Sequence, residues 1–419
     1  MGMTPKQKRL TFAVAALILA VVVFILVNTV FSLTNILRYN STLIYSTRDV
    51  MNGLWENYKN DHLEANTYRT LDRDRGGITT SEGQSYTMLR AVWMDDKQTF
   101  DGAWRWTKDN LRRSGDDFLF SWLFGGRDDG TYGVLDMHGG YNTASDADTD
   151  IALSLALAYG RWQDPIYLAE ARELIGDIWE KEVIEINGTP YLTANNLESS
   201  LRKSSVIINP SYFAPYAYKI FARIDEDPSH RWDDLAASSY DVIERSMAQS
   251  LDNRFSANLP PDWIVIDTTT GEIRAPENTD LTTNFGFEAL RVPWRLALDW
   301  QWFQDERAKR VLEKMGFLSE EWRKDGELRA EYRHDGSVVS RFESPAMYAG
   351  ALGYFIVVDP TASREIYTNK IIRNYNPTWY AWEDEPGYYG NNWRWFSVGL
   401  YNELLPNYTA HITDYPSSP

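Results

Sequence analysis

The sequence contains no cysteine in 419 residues. Disulfides, thiolate metal sites and cysteine nucleophiles are therefore excluded. Histidine is scarce as well: His62, His138, His230, His334 and His411 stand singly, and no two have metal-ligand spacing. Neither a Walker-type glycine loop nor a nucleophile-elbow pattern is present. No metal or cofactor is expected. Positive charge is also short, with 42 Lys and Arg against 59 Asp and Glu and a net charge of −17. Such a chain repels a nucleic acid backbone, so no nucleic acid partner is expected. What is abundant is aromatic: 17 Trp, 25 Tyr and 17 Phe, within 43% hydrophobic residues, exclude disorder over most of the length.

The charge is unevenly placed. Residues 1–38 hold no acid, only Lys6, Lys8, Arg9 and Arg38, and subtracting those four positive charges leaves residues 39–419 at −21. Between Arg9 and Arg38 run 28 uncharged residues, centred on Phe12–Val27. About 20 apolar residues cross a bilayer as a helix, whereas a signal-peptide core is roughly 7–15 residues. Residues 1–9 are expected to be a short cytoplasmic tail, 10–33 a transmembrane signal anchor and 34–48 a juxtamembrane linker. The basic residues ahead of the helix keep that end in the cytoplasm. The remainder is then a single-pass membrane protein's extracytoplasmic domain; a cleaved secretory signal is the alternative.

Past residue 48 no Pro/Ser-rich run or low-complexity block marks a linker. Helical periodicity recurs near 49–66, 82–95, 100–113, 146–162, 165–182, 211–224, 230–251, 286–302, 304–315, 345–357, 361–375 and 392–404. Period-two alternation is confined to pieces such as Val183–Ile186 and Trp263–Asp267. About a dozen helices with short breaks predict an all-α domain over 49–405, a closed ring of helical hairpins, followed by a C-terminal tail at 406–419. The oligomeric state is not legible.

Carboxylates set among aromatics carry the chemical signal. In Thr80-Ser-Glu-Gly-Gln-Ser-Tyr86, Glu82 opens a helix between small residues that leave space for a ligand. Buried there it can have a raised pKa and act as a general acid; capping of the helix by Ser81 and Glu82 is the plain alternative. In Ala144-Ser-Asp-Ala-Asp-Thr-Asp150, three alternating Asp precede an Ala/Leu helix that must be buried. An EF-hand fails there, lacking Gly at the sixth position and Glu at the twelfth. Asp146 and Asp148 are thus candidate ligand-binding carboxylates at the mouth of a core helix, where a structural cap explains one acid more readily than three. In Phe285-Gly-Phe-Glu-Ala-Leu-Arg-Val-Pro-Trp-Arg295, Glu288 and Arg291 fall three apart on one helix face, where an ion pair is the alternative.

Together with Asn209-Pro-Ser-Tyr-Phe213, these blocks resemble glycoside hydrolase family 8 in order and spacing, over about residues 50–405. The resemblance implies an (α/α)6 barrel and an inverting hydrolase acting on β-linked polysaccharide, with β-1,4 bonds foremost. It implies Glu82 as general acid, Asp146 as the carboxylate holding the distorted sugar, and Tyr212 and Arg291 around the water and the base. The base falls on Glu288. Many members carry Tyr-Asp where this chain has Phe287-Glu288, so the base is one methylene longer and its neighbour lacks a hydroxyl. The expected partners are a polysaccharide, whether exopolysaccharide or cell-wall glycan, and the membrane. Trp93, Trp104, Trp122, Tyr132 and Tyr141 flank the motifs as stacking platforms or as core. Two other readings stay open, a non-catalytic polysaccharide-binding protein with a degenerate cleft and another activity on the same barrel.

Overall fold

In the computed structural model, the described residues are 46–412 without 114, 201–202, 253–254 and 279, together with 19, 21–24, 26 and 27. The helices are α1 Thr47–His62, α2 Ser81–Met94, α3 Lys97–Leu111, α4 Ser145–Trp162, α5 Pro165–Glu182, α6 Asn196–Ser200 and α7 Pro215–Ile224. They continue as α8 Trp232–Ala248, α9 Arg291–Phe303, α10 Glu306–Glu313, α11 Phe317–Asp325, α12 Pro345–Val358, α13 Pro360–Ile366 and α14 Gly387–Tyr401.

Two kinds of helix alternate along the chain. In α4 every residue from Ser145 to Ala158 is buried, because its Ala/Leu run meets neighbours on all sides. The next helix, α5, starts from an Asp164 cap with Pro165 in its first turn and buries only Tyr167, Ala171, Leu174, Ile175, Ile178 and Glu182. The first is an inner helix and the second an outer one. Inner helices α2, α4, α7, α9, α12 and α14 pack each on the next. Edge-to-face contacts of Tyr86 with Trp393 and Phe396, and the stacked Trp93–Trp395 pair, join α14 back to α2. Outer helices α3, α5, α8, α10 and α13 each back the inner helix before them, and α1 lies on α14. This arrangement is consistent with the expected ring of hairpins.

Glycines set how closely the inner helices approach. A Cβ on Gly350 would sit 2.0 Å from the Leu290 carbonyl oxygen and one on Gly353 2.3 Å from that of Pro293, so α12 can lie against α9 only without side chains there.

Several expectations need correction. The domain is mostly helical but not all-α: short antiparallel strands decorate the loops. β1 (Thr79–Thr80) pairs with β2 (Leu123–Gly126) and β2 with β3 (Tyr132–Val134). The alternating pieces form β4 (Val183–Ile186), paired with β5 (Thr189–Leu192), and β7 (Ile264–Asp267), paired with β6 (Ser205–Ile208). The helix expected over 286–302 begins only at Arg291, and that expected over 392–404 begins at Gly387. Residues beyond 405 do not leave the domain at once: Trp93 Nε1 donates to the Pro406 carbonyl at 3.2 Å, and Gly160 makes room for Tyr408. Among the described residues no helix is long and apolar enough to cross a membrane. The predicted 10–33 span lies for most of its length outside them.

Candidate active site

Strand β1 delivers the chain to α2. Thr80 is the cap, its Oγ1 accepting the Gly83 N–H at 3.0 Å, in place of the predicted Ser81. Glu82 follows in the first turn. The small residue beside it does not hold ligand space: a Cβ at position 83 would meet the Tyr388 hydroxyl at 2.6 Å. Asp146, in the first turn of α4, is 3% exposed. Glu288 sits in the turn before α9, not within the helix, and Arg291 is the first helical residue.

Arg291 gathers these groups. Its Nη1 donates to Glu82 Oε2 and to Asp146 Oδ2, both at 2.8 Å, while Nη2 donates to Glu288 Oε2. The guanidinium lies over the Tyr212 ring, 5.1 Å from its centroid, and Asn209 Nδ2 donates to Glu288 Oε2 at 2.8 Å. Tyr212 packs edge-on against Trp263. The structure thus brings together Glu82, Asp146, Glu288, Arg291 and Tyr212. Because Glu82 and Glu288 bond adjacent nitrogens of one planar fork, their nearest oxygens are within roughly 8 Å. That bound admits both the roughly 6.5–9.5 Å of inverting glycosidases and the roughly 5–5.5 Å of retaining ones.

Three carboxyls around one guanidinium cannot all ionise cheaply in a buried setting. Burial pushes Glu82 up to about 7; Asp146 and Glu288 add to the rise and Arg291 opposes it. Burial likewise raises Asp146, against the pull of Arg291 and Arg295. Glu82 therefore holds a proton near neutral pH. A proton donor beside a second carboxylate is the equipment for splitting an acetal.

Asp148 is not brought into this cluster. Residues two apart point to opposite sides of a helix, so Asp146 and Asp150 face α9 while Asp148 faces the outer layer. Asp150 accepts both Arg295 Nη1 at 3.0 Å and Nη2 at 2.8 Å, one turn beneath the Asp146–Arg291 contact. Asp148 instead accepts the Phe120 N–H at 3.2 Å and is fully buried beside Glu182, whose Oε1 takes the Thr143 hydroxyl. Its expected contact with sugar does not fit that position. Burial and mutual repulsion raise Asp148 well above the carboxylate range, and burial takes Glu182 to about 8.

These raised values make the Asp148–Glu182 pair pH-sensitive. A carboxyl that binds its proton more tightly folded than unfolded adds stability fully present below the unfolded pKa, near 4, and lost as pH rises through the folded value. Glu182→Gln removes one titration and relieves Asp148. The variant's melting temperature, followed by circular dichroism between pH 5 and 9, should fall less steeply than the native one. Parallel curves would refute the coupled titration of Asp148 and Glu182.

Of the flanking aromatics, Trp93 and Trp104 are core, each 3% exposed. Trp122 is half-buried, its Nε1 donating to the Gly139 carbonyl at 3.0 Å, while Tyr132 and Tyr141 are exposed. Phe287 is exposed too, its carbonyl taking the Tyr389 hydroxyl at 2.5 Å. Among the described residues no group of three or more His, Asp or Glu is placed to hold a metal ion.

The family model of glycosyl hydrolases family 8 matches residues 35–400. The chain belongs to this family. Endoglucanase A of Acetivibrio thermocellus is 29% identical over 382 residues, 87% of this chain and 71% of that protein. Endoglucanase 2 of Ruminiclostridium josui is 31% identical over 272 residues, 63% of this chain but 53% of its own length. Among solved structures, the endo-1,4-D-glucanase from Vibrio fischeri ES114 superposes with a TM-score of 0.69 at 26% identity, covering 84% of this chain and 95% of that one. The protein is thus a glycoside hydrolase with the family 8 fold. Two residues of its site escaped the sequence: Asn209, although it lies in a quoted block, and Asp262, whose partners stand 24–27 positions away.

Proposed function

We propose that this family 8 enzyme is an inverting hydrolase of β-linked glucan, with β-1,4 bonds as its main target, working in the cleft of an (α/α)6 barrel. The observation that carries the reading is the single buried Arg291, which holds Glu82, Asp146 and Glu288 around one point while Glu82 keeps its proton near neutrality. Glu82 protonates the leaving glycosidic oxygen. Glu288, oriented by Asn209 and Arg291, takes a proton from water attacking the opposite face of the sugar. Positive charge develops on the ring in an oxocarbenium-like transition state, and Asp146 stabilises it. The names of the relatives support glucan as the polymer, and the resemblance of the site blocks to family 8 supports inversion.

Proton NMR of the products tests the stereochemistry. During hydrolysis of a soluble β-glucan, the first reducing ends should appear as the α-anomer, before mutarotation. First-formed β-anomer would overturn inversion, and no reducing-sugar release from any β-glucan would overturn the glucan reading.

The acid-free, basic-flanked residues 1–38 support a second element: a single-pass anchor over 10–33 with the catalytic domain outside the cytoplasm. An anchored hydrolase suits a glycan made or displayed at the cell surface, such as an exopolysaccharide. Full-length protein should sediment with membranes and be digested by protease added to intact spheroplasts. Recovery in the soluble fraction would rule the anchor out.

A further inference from the structure

The turn carrying Glu288 is held by a side chain from a distant stretch. Asp262 Oδ1 accepts three backbone N–H groups, from Gly286 at 3.2 Å, Glu288 at 3.1 Å and Ala289 at 2.8 Å. Its Oδ2 accepts the Thr282 hydroxyl at 3.3 Å. Asp262 is only 6% exposed and has no ion-pair partner among the described residues. A carboxylate taken out of water without a cation is costly, and only its hydrogen bonds offset the loss. Burial raises Asp262 to about 7; the Ala289 and Gly286 N–H groups oppose the rise, and Glu288 and Glu331 add to it. The fit is close: a Cβ on Gly286 would lie 2.7 Å from Asp262 Oδ2. Either side of the clamp the backbone is pinned as well. Asp262 N–H donates to the Asn284 carbonyl at 2.7 Å, and Phe285 exchanges two hydrogen bonds with Tyr332 at 2.8 and 3.1 Å. Glu288 itself therefore hangs from a backbone position that Asp262 fixes through its own N–H.

We propose that Asp262 is a positioning residue for the reaction: by clamping residues 286–289 it sets where the Glu288 carboxylate meets the attacking water. The proposal rests on Glu288 as the base. Asp262 acts through the Glu288 backbone rather than on the sugar. This matters here because Glu288 has a longer arm than the Asp implied at its position, so its backbone must be held where the carboxylate still reaches the water. A displacement of about 1 Å at a reacting group costs on the order of 10²-fold in rate.

A double-mutant cycle on soluble mixed-linkage β-glucan tests it. Asp262→Ala should lower kcat by about 10²-fold with KM within about threefold, since sugar contacts remain. In a Glu288→Ala background the same substitution should change kcat by less than about twofold, because nothing is left to position. Unchanged kcat in Asp262→Ala, or an equal further loss without Glu288, would overturn the clamp. Should the alanine variant fail to fold, Asp262→Asn carries the test. Above pH 7, where Asp262 is ionised, a neutral carbonyl holds the three donors more weakly, so a loss of about tenfold confined to kcat is expected there, and full activity would overturn the proposal. The two readings separate cleanly. If Glu288→Ala keeps its rate, the base assignment falls; if Glu288→Ala is dead while Asp262→Ala is fully active, only the clamp falls.

Discussion

Glu82→Gln is expected to lower kcat on soluble β-glucan by roughly 10²–10⁴-fold, the usual contribution of a general acid. The amide keeps the shape and can still face Arg291, but it has no proton to give. The loss should therefore depend on the leaving group. An aryl β-cellobioside with a strongly acidic phenol departs without protonation and should lose far less than the polymer. The pH profile gives a second reading. As the proposed acid Glu82 works protonated, and it sits near 7 because burial and its two carboxylate neighbours outweigh Arg291. Native kcat/KM on glucan should thus fall about tenfold per pH unit above 7, and that limb should vanish in the variant. Equal losses on polymer and aryl glycoside would show that Glu82 binds substrate without protonating it.

Arg291→Ala should unfold more readily as well as turn over more slowly. Arg291 is 1% exposed and is the cation shared by Glu82, Asp146 and Glu288. Removing one partner of a buried ion pair costs about 3–5 kcal/mol. The low end is expected here, since the Glu82 and Glu288 side chains keep 24% and 35% of their surface and water screens them. The deficit should grow with pH. Without the guanidinium, Glu82 and Asp146 bind protons more tightly in the folded state, so stability is retained near pH 4 and lost as pH rises through their folded values. Urea midpoints at pH 5 and pH 8 measure the difference, and an equal deficit at both would contradict the electrostatic account. Arg291→Lys keeps a charge but not the fork that spans two carboxyls. It should recover much of the stability and little of the rate.

How much was legible depended on how far each residue's partners lie along the chain. The α4 string reads correctly because an Ala/Leu run behind acids has few folds available to it. Its inner position, however, hides which acids point where. Asp148 looked equivalent to Asp146 because its partner Glu182 is 34 residues away on the next outer helix, and no local pattern announces a buried pair of acids. Residues 287–290 have helical composition, Phe-Glu-Ala-Leu, yet Asp262 captures the N–H groups of Gly286, Glu288 and Ala289 and delays the helix to Arg291. The ring of hairpins followed from counting helices. Two of the small strands, β4 and β7, showed as alternation at Val183–Ile186 and Trp263–Asp267; the others are pieces of two to four residues that carry too little alternation to register.

The joint between α2 and α14 bears on synthesis. Arg90 Nη2 reaches the Asn391 carbonyl across 301 positions, within the same seam as the Tyr86–Trp393 contact. The helix bearing Glu82, the proposed acid, is the first of the described inner helices to be made, and α14, its second neighbour in the ring, is the last of them. Contacts of such sequence separation form late, after the entropy of closing a long loop has been overcome. Nascent chains shorter than about 400 residues thus hold Glu82 on an open arc with one apolar flank bare. Ribosome-released fragments ending before Gly387 should be inactive and bound by chaperones. For this domain, hydrolysis is expected to begin only once the Gly387–Tyr401 helix has been made.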